Sequence, residues 1–227
     1  MKTKIYNTLN KPYIVVFIML IAPLLGFIDR NFVYFFGIGI AFFIFWRSKF
    51  DRSKFGLDTK LNWNTLYKSL KYTFILFIAD YIIIGPILYS IFGETDLSSF
   101  NDIKGSFPSY LILMLMMWVF AAFGEEFLNR GFYMKWLAKF LGDTKKSWLF
   151  ASIITSIYFA LGHIYQGISG ATSVFFWSVM ISAIFMKHRK NLWLPILIHG
   201  FFDTIGITLL YFDKIGVITK WVSQIYQ

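Results

Sequence analysis

Between Leu111 and Phe123 the chain carries no charge, and Gly124-Glu125-Glu126-Phe127-Leu128-Asn129-Arg130-Gly131-Phe132 follows without a break. In hydrocarbon every backbone N–H and C=O must find a partner inside the chain, so such a run reads as one continuous helix within a membrane. The composition agrees. Of 227 residues 57% are hydrophobic, 22% aromatic and only 15% charged, with a mean hydropathy of +0.60, the range of integral membrane proteins. Two carboxylates and an arginine on that helix each cost at least about 2.5 kcal/mol on insertion scales, which marks them as functional candidates. Glu126 and Arg130 are i,i+4 neighbours and can pair along one face. Glu125 points roughly 100° away and is left outside that pair. The bland alternative is that both acids only compensate Arg130, but one arginine needs one partner.

The expected fold is all-α, a polytopic transmembrane helix bundle of about seven spans. Candidate spans are Pro12–Ile28, Phe32–Trp46, Tyr72–Phe92, Tyr110–Lys135, Trp148–Ile164, Thr172–Met186 and Leu192–Phe212. Of the 22 Lys and Arg residues, seventeen fall in segments on one side of this arrangement and four on the other, with Arg130 inside a span. The basic side is the cytoplasmic one, which predicts N-in, C-out. No removable signal peptide is expected, because the first apolar segment is long and lacks a small-residue cleavage site. The chain reads as one membrane domain in three stretches. Residues 1–106 hold N-terminal transmembrane helices and a cytoplasmic segment (47–71), residues 107–212 the chemistry-bearing core, and residues 213–227 a tail. Within 47–71, Leu61, Trp63, Leu66, Tyr67 and Leu70 alternate with polar residues as in an amphipathic helix lying on the membrane surface. The segment from Gly93 to Ser106 reads as a solvated outer loop.

The net charge of +10 does not point to nucleic acid, since the basic residues are spread between apolar spans. The absence of cysteine excludes disulfides, thiolate zinc sites, a cysteine nucleophile and attached prenyl or palmitoyl groups. Three histidines remain. His163 stands four residues after Phe159, whose ring can pack on the imidazole, and His199 stands four before Asp203 in Leu192-Trp193-Leu194-Pro195-Ile196-Leu197-Ile198-His199-Gly200-Phe201-Phe202-Asp203. His188, within Lys187-His188-Arg189-Lys190, reads as a solvated loop residue. Asp80 is the other charge deep in a span, with a packed hydrogen-bonding role or a place behind the site as its two readings. At about 1.5 Å per helical residue, Glu125 lies roughly 15 Å from a boundary at Lys135, His163 roughly 22 Å in from Trp148, and His199 roughly 10–12 Å in from Leu192. Glu125, His163 and His199 can therefore meet in the middle of the bilayer from three helices.

These stretches resemble the CPBP (Abi) intramembrane protease family, which includes the type II CAAX prenyl endopeptidases. Glu125-Glu126 with Arg130 is similar to its EExxxR motif, Phe159 with His163 to its FxxxH motif, and His199 with Asp203 to its third motif, where CAAX-cleaving members usually have asparagine. The resemblance implies hydrolysis of a peptide bond in a membrane-associated protein or peptide. Glu125 and His163 would activate water, His199 and Asp203 would stabilise the oxyanion, and Glu126, Arg130 and Phe159 would support the site. A carboxylate held out of bulk water is a better general base, and fixed donors in a dry site stabilise developing charge. An ionised Asp203 cannot donate, so it is either protonated or orients His199. No cofactor is expected; zinc on His163, His199 and a carboxylate is the weaker alternative. The implied setting is a multi-pass protein of the bacterial cytoplasmic membrane, with oligomeric state unspecified.

Two other classes stay open. A non-catalytic or dual-role bacteriocin-immunity or scaffolding protein is a role associated with small family members. A rhomboid-like serine protease would use Ser169, in Gly167-Ile168-Ser169-Gly170, with His199 as base. That string is expected in an outer loop and leaves Glu125, Glu126, Arg130 and His163 without a task. A proton-relay transporter would need paired broken half-repeats, which the sequence lacks.

Overall fold

The computed structural model describes residues 2–224. The chain is 82% helix without strands among the described residues. Its helices are α1 (Lys2–Leu9), α2 (Pro12–Ile21, tightening into a 3₁₀ stretch at Ala22–Phe27), α3 (Arg30–Arg47), α4 (Trp63–Phe92), α5 (Phe107–Phe140), α6 (Lys145–Leu161), α7 (Gly167–Lys187), α8 (Trp193–Tyr211) and α9 (Val217–Ser223). Several starts have a local cause. Asp29, Asn62 and Thr144 accept from backbone N–H groups at the openings of α3, α4 and α6, satisfying donors that have no intrahelical acceptor. Pro12 opens α2, where its missing N–H costs nothing.

Four helices, α4, α5, the segment Ile164–Lys187 that contains α7, and α8, are long and apolar enough to cross a membrane; Pro12–Phe27 and Asn31–Arg47 are shorter apolar helices. α6 has 17 residues. Large apolar side chains face outward along these rods, with Leu20, Ile112 and Leu115 each at least 60% exposed. The inside combines buried Thr and Ser with large apolar side chains such as Phe55, Phe127 and Trp136.

α4 departs from expectation. It begins at Trp63, not near Tyr72, so the amphipathic stretch forms the first turns of a 30-residue helix and not a separate surface helix. The reason lies in which face is buried. Thr65, Ser69 and Thr73 pack inward beside Leu76, while Trp63, Tyr67, Leu70 and Phe74 face out. Thr73 donates to the Ile198 carbonyl at 3.4 Å, docking α4 against α8. Further along, Ala79–Ile84 widens to i→i+5 bonding just before Pro86, whose ring and missing N–H disrupt an α-helical turn.

The connection from α3 to α4 is anchored. Asp51 caps a short 3₁₀ turn that Gly56 ends at φ 77, a left-handed conformation that glycine adopts without strain. A Cβ there would lie 2.6 Å from the Arg189 carbonyl oxygen. The turn inserts Phe55, fully buried, flat against Phe127 at 4.5 Å between centroids. Leu192 N–H donates to Gly56 O at 2.7 Å and Thr59 N–H to Lys190 O at 2.9 Å, fixing where α8 begins. On the opposite end, the 93–106 segment is more than a solvated loop. It holds a 3₁₀ stretch, Ser98–Ile103, with Ile103 buried, and Asp96 N–H donates to Gln166 O. The tail contributes α9, whose Lys220 pairs with Glu94 at 2.6 Å. Tail residues 225–227 lie outside the described residues.

Candidate active site

The charged stretch lies where α5 is wound abnormally wide. Met117–Glu125 and Phe127–Met134 run in i→i+5 register, a winding that is rare and recurs at functional sites. Within the first of these stretches, Tyr34 of α3 donates its hydroxyl to the Phe120 carbonyl at 2.8 Å, close to Gly124. It can enter because Gly124 has no side chain; a Cβ at that position would overlap the Tyr34 hydroxyl.

Glu126 is completely buried, and its Oε1 accepts from Arg130 Nη1 at 2.8 Å. The intrahelical pair expected from the spacing is present. Arg130, 1% exposed, also donates through Nη2 to Ser178 Oγ at 2.6 Å and Ser178 O at 3.0 Å, and through Nε to Ser182 Oγ at 3.3 Å. Its guanidinium lies over the Phe159 ring at 5.2 Å and near Trp177 at 5.9 Å. Every face of the cation is thus met by an acceptor or a π-surface, as a desolvated charge requires.

The same Glu126 oxygen also contacts His199 Nδ1 at 3.0 Å. His199 Nε2 faces Asp203 Oδ2 at 3.2 Å. The chain Arg130–Glu126–His199–Asp203 therefore ties α5 to α8 through alternating charges, with the Trp177 ring 4.7 Å from the imidazole. Gly200 follows directly, and the Trp118 ring packs so closely that a Cβ there would overlap it.

His163 sits just past the end of α6. Its Nδ1 lies 2.8 Å from the Phe159 carbonyl oxygen. A carbonyl only accepts, so Nδ1 carries the proton and the Nε2 lone pair of the neutral ring is left to take another. Phe159 packs on this imidazole at 4.6 Å, as the i,i+4 spacing predicts. Glu125 is only partly buried, and among the described residues its carboxylate has no hydrogen-bond partner. Glu125, His163, His199 and Asp203 line one cavity of about 1530 Å³. All four expected side chains line that cavity, and Glu126 is held by Arg130 and His199 while Glu125 is not.

The sequence reading misses several members. Ser178 and Ser182 hold Arg130, and Trp177 lines the cavity with its Nε1 buried and without a hydrogen-bond partner among the described residues. Their signal is the stripe Ser169, Ser173, Ser178 and Ser182 along an otherwise apolar α7. Asp80 also lines the cavity and accepts from Ser173 Oγ at 2.6 Å, the packed hydrogen-bonding role. Ser169 overturns its expected placement in a loop. It occupies the first turn of α7, 5% exposed, on the wall of the same cavity. No histidine lies within hydrogen-bond distance of its hydroxyl among the described residues, so the serine–histidine pair is not assembled. His188 stays partly exposed at the end of α7, away from this cavity.

Zinc on His163 and His199 would need one open nitrogen on each ring. Both nitrogens of His199 already face carboxylate oxygens, and His163 offers a single free nitrogen. Among the described residues no group of three His, Asp or Glu side chains is set to hold a metal ion.

No curated protein and no solved structure matches this chain. A family model does. Residues 107–205, which span α5 to the middle of α8 and contain every reactive side chain named above, match the type II CAAX prenyl endopeptidase Rce1-like family, the family that the three motifs resemble.

Proposed function

We propose that the protein is an intramembrane endopeptidase that hydrolyses a peptide bond of a membrane-associated protein or peptide with activated water. The observation that carries this reading is the contrast between adjacent carboxylates. Glu126 is sealed and doubly engaged, whereas Glu125 has no partner among the described residues and faces the cavity together with His163.

Water held between Glu125 and Nε2 of His163 gives a proton to Glu125 as its oxygen adds to the substrate carbonyl carbon. The carbonyl electron pair moves onto oxygen. Nε2–H of His199, shared with Asp203 in the free site, turns to that oxyanion while Glu126 keeps the ring in place through Nδ1. Collapse of the tetrahedral intermediate breaks the C–N bond, and the proton from Glu125 goes to the departing nitrogen. One water enters; a carboxylate and an amine leave. Asp203 thus acts by orienting His199, which makes a permanently protonated carboxyl unnecessary.

The charge asymmetry supports seven crossings with the N-terminus inside and the C-terminus outside, with α2, α3 and α6 joining the four longer helices as shorter spans. We place the protein in the bacterial cytoplasmic membrane on the family resemblance of its three motifs. The direct test is peptide release from membranes that hold the wild type or Glu125→Gln. Release by the wild type and its loss in the variant, at equal folded amounts, is the expected result.

A further inference from the structure

The lysine-rich end of the bundle holds a second concavity of about 370 Å³ that shares no lining residue with the large cavity. Lys68 of α4 faces it, and the connection from α7 to α8 supplies Lys187, His188, Arg189 and Lys190. The amides of Asn62, Asn64 and Asn191 complete the wall, and no carboxylate contributes. Like charges gathered in a hollow without a counter-ion repel, and an anion in their midst removes that repulsion.

This pocket is built, not a chance meeting of surface lysines. Asn191 Nδ2 donates to Thr65 Oγ1 at 3.0 Å, and Thr59 N–H to Lys190 O at 2.9 Å, so two separate connections are stitched together. The Arg189 guanidinium is pinned over the Trp148 ring at 4.1 Å, with Nε donating to Met186 O. His188 is held below its ordinary pKa, by loss of solvent first and then by Lys68 and Lys187. Beside the pocket, Leu61, Trp63, Tyr67 and Leu70 are exposed. Aromatic residues at the end of a spanning helix sit at headgroup level.

We propose that this pocket is a binding site for the phosphate of an anionic phospholipid headgroup. Basic pockets between spanning helices are suited to such groups. The pocket bridges the start of α4 and the α7–α8 connection. α7 carries Ser178 and Ser182, and α8 carries His199 and Asp203. A headgroup bound there clamps together the helices on which the buried charge chain rests.

The test uses full-length protein in phosphatidylcholine nanodiscs doped with phosphatidylglycerol, with tightly retained lipid counted by native mass spectrometry. Wild type should retain one phosphatidylglycerol in preference to phosphatidylcholine. Lys68→Gln/Lys190→Gln changes two side chains whose ammonium groups make no hydrogen bond or ion pair among the described residues. It should weaken that retention about 25-fold, roughly fivefold per lysine. Lys145→Gln/Lys146→Gln, at the same end but outside the pocket, should leave it within about twofold. Equal loss in both double variants means diffuse surface attraction and overturns the site. Displacement of the lipid by millimolar inorganic phosphate means that the pocket takes the free ion, and overturns the lipid assignment. Absence of any preference for phosphatidylglycerol overturns both.

Discussion

Replacing Glu126 and Glu125 by glutamine, one at a time, separates the cost of a broken charge network from the loss of a reacting group. Glu126→Gln leaves Arg130, 1% exposed, without the carboxylate it pairs with directly. Three serine acceptors remain to the guanidinium, yet none carries charge. Breaking a buried ion pair from one side costs about 3–5 kcal/mol, and here the His199 Nδ1 contact loses its charged acceptor as well. The variant should melt well below wild type in detergent, with activity falling together with folded yield. Glu125→Gln removes a carboxylate without a hydrogen-bond partner among the described residues, keeps the side-chain shape, and should melt within a degree or two of wild type. Its cleavage rate should nevertheless drop at least about a hundredfold, the usual worth of a general base. The assay pairs thermal unfolding of purified protein with release of a fluorogenic peptide from proteoliposomes. The reasoning is refuted if Glu125→Gln destabilises as much as Glu126→Gln, or if Glu126→Gln keeps wild-type melting.

Four further outcomes follow from the same geometry. Purified protein should carry no stoichiometric zinc and keep its activity under tight chelators; zinc lost together with activity in His163→Ala would reverse that view. Ser169→Ala, although its side chain lines the cavity, should cleave at close to the wild-type rate, and abolition of cleavage would favour a serine nucleophile. Gly200→Ala drives a methyl into the Trp118 ring next to His199, so unfolding experiments should register about 1–3 kcal/mol of overpacking. Reporter fusions after Gln227 and within residues 47–62 should report opposite sides of the membrane, and a shared side would dismiss the seven-span topology.

Local relations were legible in the sequence because helical spacing alone determines them. The Glu126–Arg130 pair and the Phe159–His163 stack need only i,i+4 geometry, and both are present. Relations between helices were not legible. No spacing rule states that the oxygen serving Arg130 also meets His199, seventy-three residues later. The approach of the Tyr34 hydroxyl to the Phe120 carbonyl past Gly124 joins α3 to α5, a contact with no local signature. At the start of α4 the pattern itself misleads. Trp63, Tyr67 and Leu70 form an apolar face that in water would turn inward, but here it faces out and Thr65, Ser69 and Thr73 pack inside. Ser169 shows the same limit, since glycines on both sides suggest a loop while the chain makes a helical turn.

The electrostatics of the buried chain explain why two adjacent glutamates can serve different ends. Arg130, Glu126, His199 and Asp203 alternate in sign when both imidazole nitrogens donate, so the row is balanced within itself across α5 and α8. Balance permits complete burial, and Glu126 is in fact 0% exposed. A fifth charged group has no partner left in that row. Glu125 is such a group, and a surplus carboxylate in a membrane is tolerable only where water or substrate can reach it. The cavity provides that contact. The carboxylate that the network cannot neutralise is therefore one that lines the cavity, as His163 does, and under the proposed mechanism that same surplus suits it to take a proton from water.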